Sequence, residues 1–157
     1  MTSTNADRLA VKAVQHHHTE LREALAERVD NLLHDVEQDN GSWEASRVAV
    51  LDFVDHELMP HAQAEERTMY PAAAEHTEGR TLVESMIAEH ALIRNLAEKV
   101  RRSQSPVALA AEANALKVVF ESHMSKEDER ILPLLEHADG VSVAALLEGM
   151  HELLGQA

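Results

Sequence analysis

The chain has 157 residues and a net charge of −14 with histidine neutral, from 28 acidic residues against 14 basic ones and no Lys/Arg run. Such a surface repels phosphate backbones and argues against nucleic acid as a partner. There is no cysteine, which excludes disulfides, thiolate-ligated haem, iron–sulfur clusters and cysteine-type zinc sites, and leaves 11 histidines and the carboxylates as possible metal ligands.

Hydrophobic residues make up 45% but aromatics only 3%, so the core must be built from Leu, Val, Ala and Met, as in helical proteins. The 5 Gly and 4 Pro are too few for the turns of a sandwich or barrel. The length suits one domain over residues 1–157. Met1-Thr2-Ser3-Thr4-Asn5 lacks a basic region followed by an apolar run. No apolar stretch reaches the roughly 18 residues that span a bilayer. The chain reads as soluble and cytoplasmic, with no membrane partner.

Four long helical patterns follow one another. In the first, Val14, His18, Leu21, Leu25, Val29, Leu32 and Val36 recur at steps of three and four. Asp39-Asn40-Gly41 ends it, and Ser42 is the expected N-cap of the next helix. The second stripe is Leu51, Val54, Leu58, His61, Glu65, Met69 and Ala72, with Pro60 and Pro71 expected to kink or end the helix and Gly79 to stop it. The third is Val83, Met86, His90, Ile93, Ala97 and Val100, closing near Ser103. Ser105-Pro106 reads as N-cap and first helical position of the fourth, whose stripe is Leu109, Ala113, Leu116, Phe120, His123, Glu127, Ile131 and Leu134. Asp139-Gly140 breaks it, and Ser142 to Leu154 forms a short fifth helix. The fold predicted is all-α: an up-down-up-down four-helix bundle over about 6–137 with an additional C-terminal helix over about 142–154.

One motif is stated twice, His61-xxx-Glu65-Glu66-xxxx-Pro71 and His123-xxx-Glu127-Asp128-xxxx-Pro133. A spacing of four puts each His and its first carboxylate one turn apart on a single helix face. Both pairs interrupt an apolar stripe, and buried ionisable groups must be paired or bound to metal. The repeat extends to Val14, His18, Leu21 and Arg22 in helix one against Met86, His90, Ile93 and Arg94 in helix three. Each helical hairpin thus supplies one lone His and one HxxxE pair, giving His18, His61, Glu65, His90, His123 and Glu127.

Other assignments compete with these. A single HxxxE on a Glu-rich helix is a weak signal; two copies in the same apolar phase are strong. Within His16-His17-His18, phase favours His18, which shares its face with Val14, Leu21 and Leu25, although His17 lies near that phase too. A lone His such as His90 is often a core residue bonded to a carbonyl, and its match to His18 points instead to a ligand. Met86 reads as core packing. Glu66 and Asp128, one step off phase, read most simply as solvated acids, with hydrogen bonding to histidine N–H groups as the other role. His34, His56, His76, His137 and His151 read as exposed or half-buried, and Tyr70 and Trp43 as packing residues.

Four imidazoles and two carboxylates exceed what one catalytic zinc takes and suit two metal ions, each with two His, bridged by the two Glu. Imidazole with carboxylate suits iron in a bundle core. An oxo or hydroxo bridge and a small exogenous molecule fill the remaining positions; dioxygen, hydrogen peroxide and nitric oxide fit such a site, and a large organic substrate does not.

The order His18…His61-xxx-Glu65…His90…His123-xxx-Glu127 resembles the hemerythrin-like (HHE cation-binding) family over about residues 10 to 137. The resemblance implies a four-helix bundle with a non-haem di-iron centre, His18, His61, His90 and His123 as terminal ligands and Glu65 and Glu127 as bridges. Oxygen-carrying hemerythrins have HxxxH in helix three and HxxxxD in helix four. Here helix three offers Met86 and His90, or His90 and Arg94, and helix four carries HxxxE. That pattern is similar to a bacterial subgroup associated with peroxide decomposition, and in part to the iron-sensing hemerythrin domains of eukaryotic ubiquitin-ligase subunits. Two functions follow as expectations: a di-iron enzyme consuming hydrogen peroxide, or a binding module that senses, scavenges or stores iron, dioxygen or nitric oxide.

Overall fold

A computed structural model of the protein describes residues 4–38 and 41–155, and every regular element among them is helical. Helix α1 (Asn5–Gln38) starts at Thr4, whose Oγ1 accepts the Asp7 amide at 3.1 Å, as an N-cap does, and donates to the Asp7 carboxylate at 2.5 Å. Its predicted stripe from Val14 to Leu32 is buried, and Val36 is half-buried. Of the break expected at Asp39-Asn40-Gly41, Asp39 and Asn40 lie outside the described residues. Gly41 adopts a φ of 78°, a conformation that carries no steric cost only for glycine. Ser42 precedes α2 (Trp43–Phe53) as expected, but its side chain makes no cap hydrogen bond; its carbonyl accepts the Ala45 amide at 3.0 Å.

The second helical run is not one regular helix. From α2 it passes through a π-helical turn, Val54–Leu58, into α3 (Met59–Arg67), and after a break at Thr68 into α4 (Met69–Ala74). The prolines explain both irregularities. Pro60 has no N–H and its ring crowds the carbonyl four residues back, a conflict relieved when the preceding turn widens. Pro71 stands in the first turn of α4, and the chain breaks ahead of it, at Thr68 with φ −125° and ψ −74°.

The fourth run repeats the first of these solutions: α6 (Pro106–Lys126) widens at Glu127–Ile131 and continues as α7 (Leu132–His137), which contains Pro133. After the Thr68 break and after the second π-helical turn the buried face slips by one residue. Ala73 and Leu135 are therefore buried where the stripes predict Ala72 and Leu134, which are half-buried.

Gly79, expected to stop the second run, lies instead inside α5 (Thr77–Arg102). A Cβ there would stand 2.0 Å from the Ala73 carbonyl oxygen and 2.8 Å from Leu134, so glycine is what lets α5 begin so close to α4. The predicted stripe of α5 is buried throughout. Ser105 caps α6, its Oγ accepting the Ala108 amide at 3.4 Å, with Pro106 first in the helix. Helix α8 (Val143–Leu154) follows Gly140 and is capped by Ser142. Asp7 ties it to the start of α1, accepting from Ser142 Oγ at 2.9 Å and from the Ala144 amide at 3.1 Å. The donors, Thr4 first, then Ala144 and Ser142, hold the Asp7 carboxyl down at about 2.

Helix α1 packs on α2, α6 and α8, and α5 packs on α4 and α6. Two apolar cores result, one around Leu25, Leu32, Phe53, Leu109 and Leu116, the other around Val11, Met69, Met86, Ile131 and Met150. The predicted ligands stand where one core gives way to the other: His18 lies between Val14 and Leu21, and His90 between Met86 and Ile93, each pair drawn from both cores. Among the described residues no helix is long and apolar enough to cross a membrane.

Candidate metal centre

All six predicted ligands converge, and each is 2% exposed or less. His18 comes from α1, His61 and Glu65 from α3, His90 from α5, His123 from α6, and Glu127 opens the second π-helical turn. They form two clusters: His18, His61, Glu65 and Glu127, and Glu65, His90, His123 and Glu127. Within each, one ligand atom per residue lies within 4.8 Å of the others. Glu65 and Glu127 belong to both.

The carboxylate oxygens divide between the clusters. Glu65 Oε1 is 2.8 Å from His61 Nε2 and 3.5 Å from His18 Nε2, while its Oε2 is 3.5 Å from His90 Nε2. Glu127 turns Oε2 to His18 Nε2 at 3.7 Å and Oε1 to His123 Nε2 at 3.4 Å. Each carboxylate thus presents one oxygen to either side, the arrangement a bridging ligand requires. His17 belongs to neither cluster and its side chain is 45% exposed. The π-helical turn at Glu127 leaves the i, i+4 pairing of His123 and Glu127 intact, because the widening begins at Glu127 itself.

The outer edges of three imidazoles are held by acids. Asp128 meets His18 Nδ1 at 2.7 Å, Glu66 meets His90 Nδ1 at 2.8 Å, and Glu89 meets His123 Nδ1 at 3.0 Å. Glu66 and Asp128 are therefore not the solvated acids of the simplest sequence reading. Each reaches the lone histidine of the opposite hairpin, and the repeated arginines brace them: Arg94 contacts Glu66 at 2.7 Å and Arg22 contacts Asp128 at 3.5 Å. Lys126 binds Glu89 in turn. Such contacts fix ring orientation and raise ligand basicity.

His61 breaks the pattern, since its Nδ1 has no hydrogen-bond partner among the described residues. Glu89 precedes His90, and the residue preceding His18 at the repeat-related position is His17, whose ring stands edge-on to His61 at 5.1 Å. Sequence reasoning missed Glu89; the signal was the position before each lone histidine, where the repeat diverges.

Tyr70 is also more than the packing residue expected. Its hydroxyl donates to Glu127 Oε1 and lies 3.4 Å from both His90 Nε2 and His123 Nε2. Burial, then the charges of Glu65 and Glu127, pushes its phenol well above the ordinary value, so it remains a neutral donor. The repeat-related residue, nine after His123, is Leu132, so only the second cluster has this hydroxyl. Trp43 packs against the apolar core, as expected. His34, His56, His76, His137 and His151 are exposed or half-buried, as expected.

A cation fits this donor set. His18 Nε2, His61 Nε2, Glu65 Oε2 and Glu127 Oε2 are buried and make no hydrogen bond, although buried polar atoms are almost always satisfied. All four belong to the first cluster or to the carboxylates it shares, where a metal ion would supply the missing partner. Electrostatics point the same way. Burial opposes charge on His18, but the hydrogen bond its ring donates to Asp128, then Glu65 and Glu127, outweighs it and pushes the imidazole up to about 10. Glu65 is held well below the usual carboxylate range: burial works against this, but the neighbouring imidazoles of His61, His18 and His90 prevail. The site favours positive charge at its centre, as proton or as metal.

No curated protein and no solved structure matches the chain significantly. The Hemerythrin HHE cation binding domain matches residues 9–135, a span that includes both clusters and all six residues that form them. The chain is therefore a metal-binding module and belongs to the hemerythrin HHE cation-binding domain family.

Proposed function

We propose that His18, His61, Glu65, His90, His123 and Glu127 hold two iron ions in an up-down-up-down four-helix bundle, and that the centre consumes hydrogen peroxide. The observation that carries the di-iron reading is the division of oxygens: Glu65 and Glu127 each turn one oxygen to one histidine pair and the other oxygen to the second pair. Bound iron supplies one-electron redox chemistry and Lewis acidity.

The chain's own residues do the rest. Asp128, Glu66 and Glu89 fix three imidazole rings through their Nδ1 atoms. Tyr70 holds a proton on its hydroxyl and donates it to Glu127, steadying one bridging carboxylate. Met86, at the position where an oxygen carrier places another histidine, is fully buried in apolar packing and adds no ligand. That leaves the centre with an aromatic hydroxyl and no further imidazole, which favours turnover over reversible oxygen carriage.

The near-complete burial of all six residues favours a second reading, a binding module that senses, scavenges or stores iron, dioxygen or nitric oxide without turnover. Oxygen evolution from hydrogen peroxide, measured on iron-loaded protein, separates the two. Peroxide consumption well above that of free iron, with no long-lived oxygenated species, supports the enzyme. Repeated binding and release of dioxygen with no peroxide consumption supports the module.

A further inference from the structure

A cavity of about 150 Å³ lies between α1 and α8, and of the six candidate ligands only His61 lines it. Its wall grades from surface to interior. Ala13 and His151 are exposed and His17 is half-buried, whereas Val14, Met150 and His61 are buried. His61 Nε2 faces Glu65 at 2.8 Å, so its Nδ1 is the ring edge turned away from the cluster, and this is the one Nδ1 of the four that no acid holds. A metal-bound imidazole nearly always gives that N–H to a carboxylate, a carbonyl or a water. Three of these histidines have their acid; His61 has a cavity.

We propose that this cavity, which the His61 ring separates from the cluster, is the inlet of the metal centre and a waiting site for its substrate, a small uncharged molecule of the size and hydrogen-bonding capacity of hydrogen peroxide. The proposal rests on the di-iron reading and assigns the first cluster, His18 and His61, as the side the substrate meets. Size limits the occupant, since a cavity of about 150 Å³ takes xenon or benzene and little more. Charge limits it further, because the chain's net charge of −14 disfavours anions at the surface. Chemistry completes the selection. The imidazoles of His17, His61 and His151 offer donors and acceptors, and Val14, Leu147, Met150 and Leu154 supply apolar contact. Helix α8 closes the chamber, and its tie to Asp7 keeps it there.

The test uses the iron-loaded full chain and hydrogen peroxide, followed by stopped-flow at the near-ultraviolet absorption expected of a bridged ferric pair. Two variants plug the cavity from opposite walls, Ala13→Trp at the exposed mouth and Leu154→Trp on α8, and Leu154→Ala opens it. With iron content unchanged, each Trp variant is expected to slow the second-order reaction by roughly tenfold or more, as access comes to limit the rate. Leu154→Ala is expected to speed the reaction of the bulkier tert-butyl hydroperoxide relative to wild type. Wild-type rates in both Trp variants would overturn the proposal, and so would xenon pressure failing to place an atom between Val14 and Met150 in the wild-type chain. Failure of the di-iron reading shows itself separately, in metal analysis before any rate is measured, and the xenon arm decides the cavity even then.

Discussion

The two clusters are built from the same parts and finished differently. Each takes one lone histidine, one HxxxE histidine and a share of the same two carboxylates. The second is closed: His90 and His123 both have acid partners, and Tyr70 sets its hydroxyl against Glu127. The first is open on one side. His61 has His17 beside it where the second cluster has Glu89, and Leu132 stands where the repeat would place a second tyrosine. The repeated residues assemble the ligands, while the one-residue departures from the repeat decide what each half of the centre meets.

The largest effect expected is loss of the shared carboxylates. Glu65→Ala or Glu127→Ala removes an oxygen from both clusters at once, so paired iron binding is abolished, as metal analysis after loading will show. Retention of two irons by either variant would mean that the carboxylate does not bridge. Next come the acids behind the rings. Asp128→Ala and Glu66→Ala should keep the paired site but weaken it by about 10–100-fold, measured by competition with a chelator. His17→Glu should do the reverse on a smaller scale, giving His61 the carboxylate that Glu89 gives His123. No gain in affinity from His17→Glu would show that the asymmetry at His61 is not electrostatic.

The pH dependence follows from His18. Its folded value of about 10 stands above the ordinary 6.5, so protonation stabilises the metal-free protein fully below about 6.5, and this contribution is lost as pH rises through about 10. Metal needs the same Nε2 unprotonated. The gap between loaded and metal-free melting temperatures should therefore widen from about pH 6.5 towards about pH 9.5. A gap that stays constant across that window would contradict the protonated His18.

Two smaller effects probe the periphery. Tyr70→Phe should lower the stability of the metal-free protein by about 1–3 kcal/mol, because it leaves Glu127 without its neutral donor; equal melting temperatures would place that hydroxyl outside the energetics. Asp7→Ala should speed amide exchange in the first turn of α8, with the four long helical runs unaffected. The Asp7 contribution is present above its ordinary value of 3.8 and disappears as pH falls through about 2. Exchange at Ala144 and Ala145 unchanged from wild type would mean that apolar contacts alone dock α8.

Much of this architecture was legible in the residues, because a helix facing a core must repeat its apolar side chains every three or four positions, and four such stripes are written in order. The six residues of the two clusters were legible for the same reason: they occupy stripe positions that would otherwise be apolar. What escaped depends on neighbours distant in the chain. The π-helical turns and the Thr68 break arise near the prolines, and the one-residue slip after the Thr68 break and after the second π-helical turn moves burial from Ala72 to Ala73 and from Leu134 to Leu135. Gly79 looked like a helix stop because its reason for being glycine, the Ala73 carbonyl, is a packing contact. Glu89 and Tyr70 are each a single residue with no partner in the repeat, and only the fold brings them against His123 and Glu127.

The central claim is that one pair of carboxylates joins two metal positions in a single chain. Iron content together with the near-ultraviolet spectrum of protein loaded under reducing conditions and then oxidised tests it most directly. The account predicts two iron ions per chain and the absorption of a bridged ferric pair, both lost in Glu65→Ala. Saturation at a single ion, with no bridged-pair absorption under any loading condition, would contradict it.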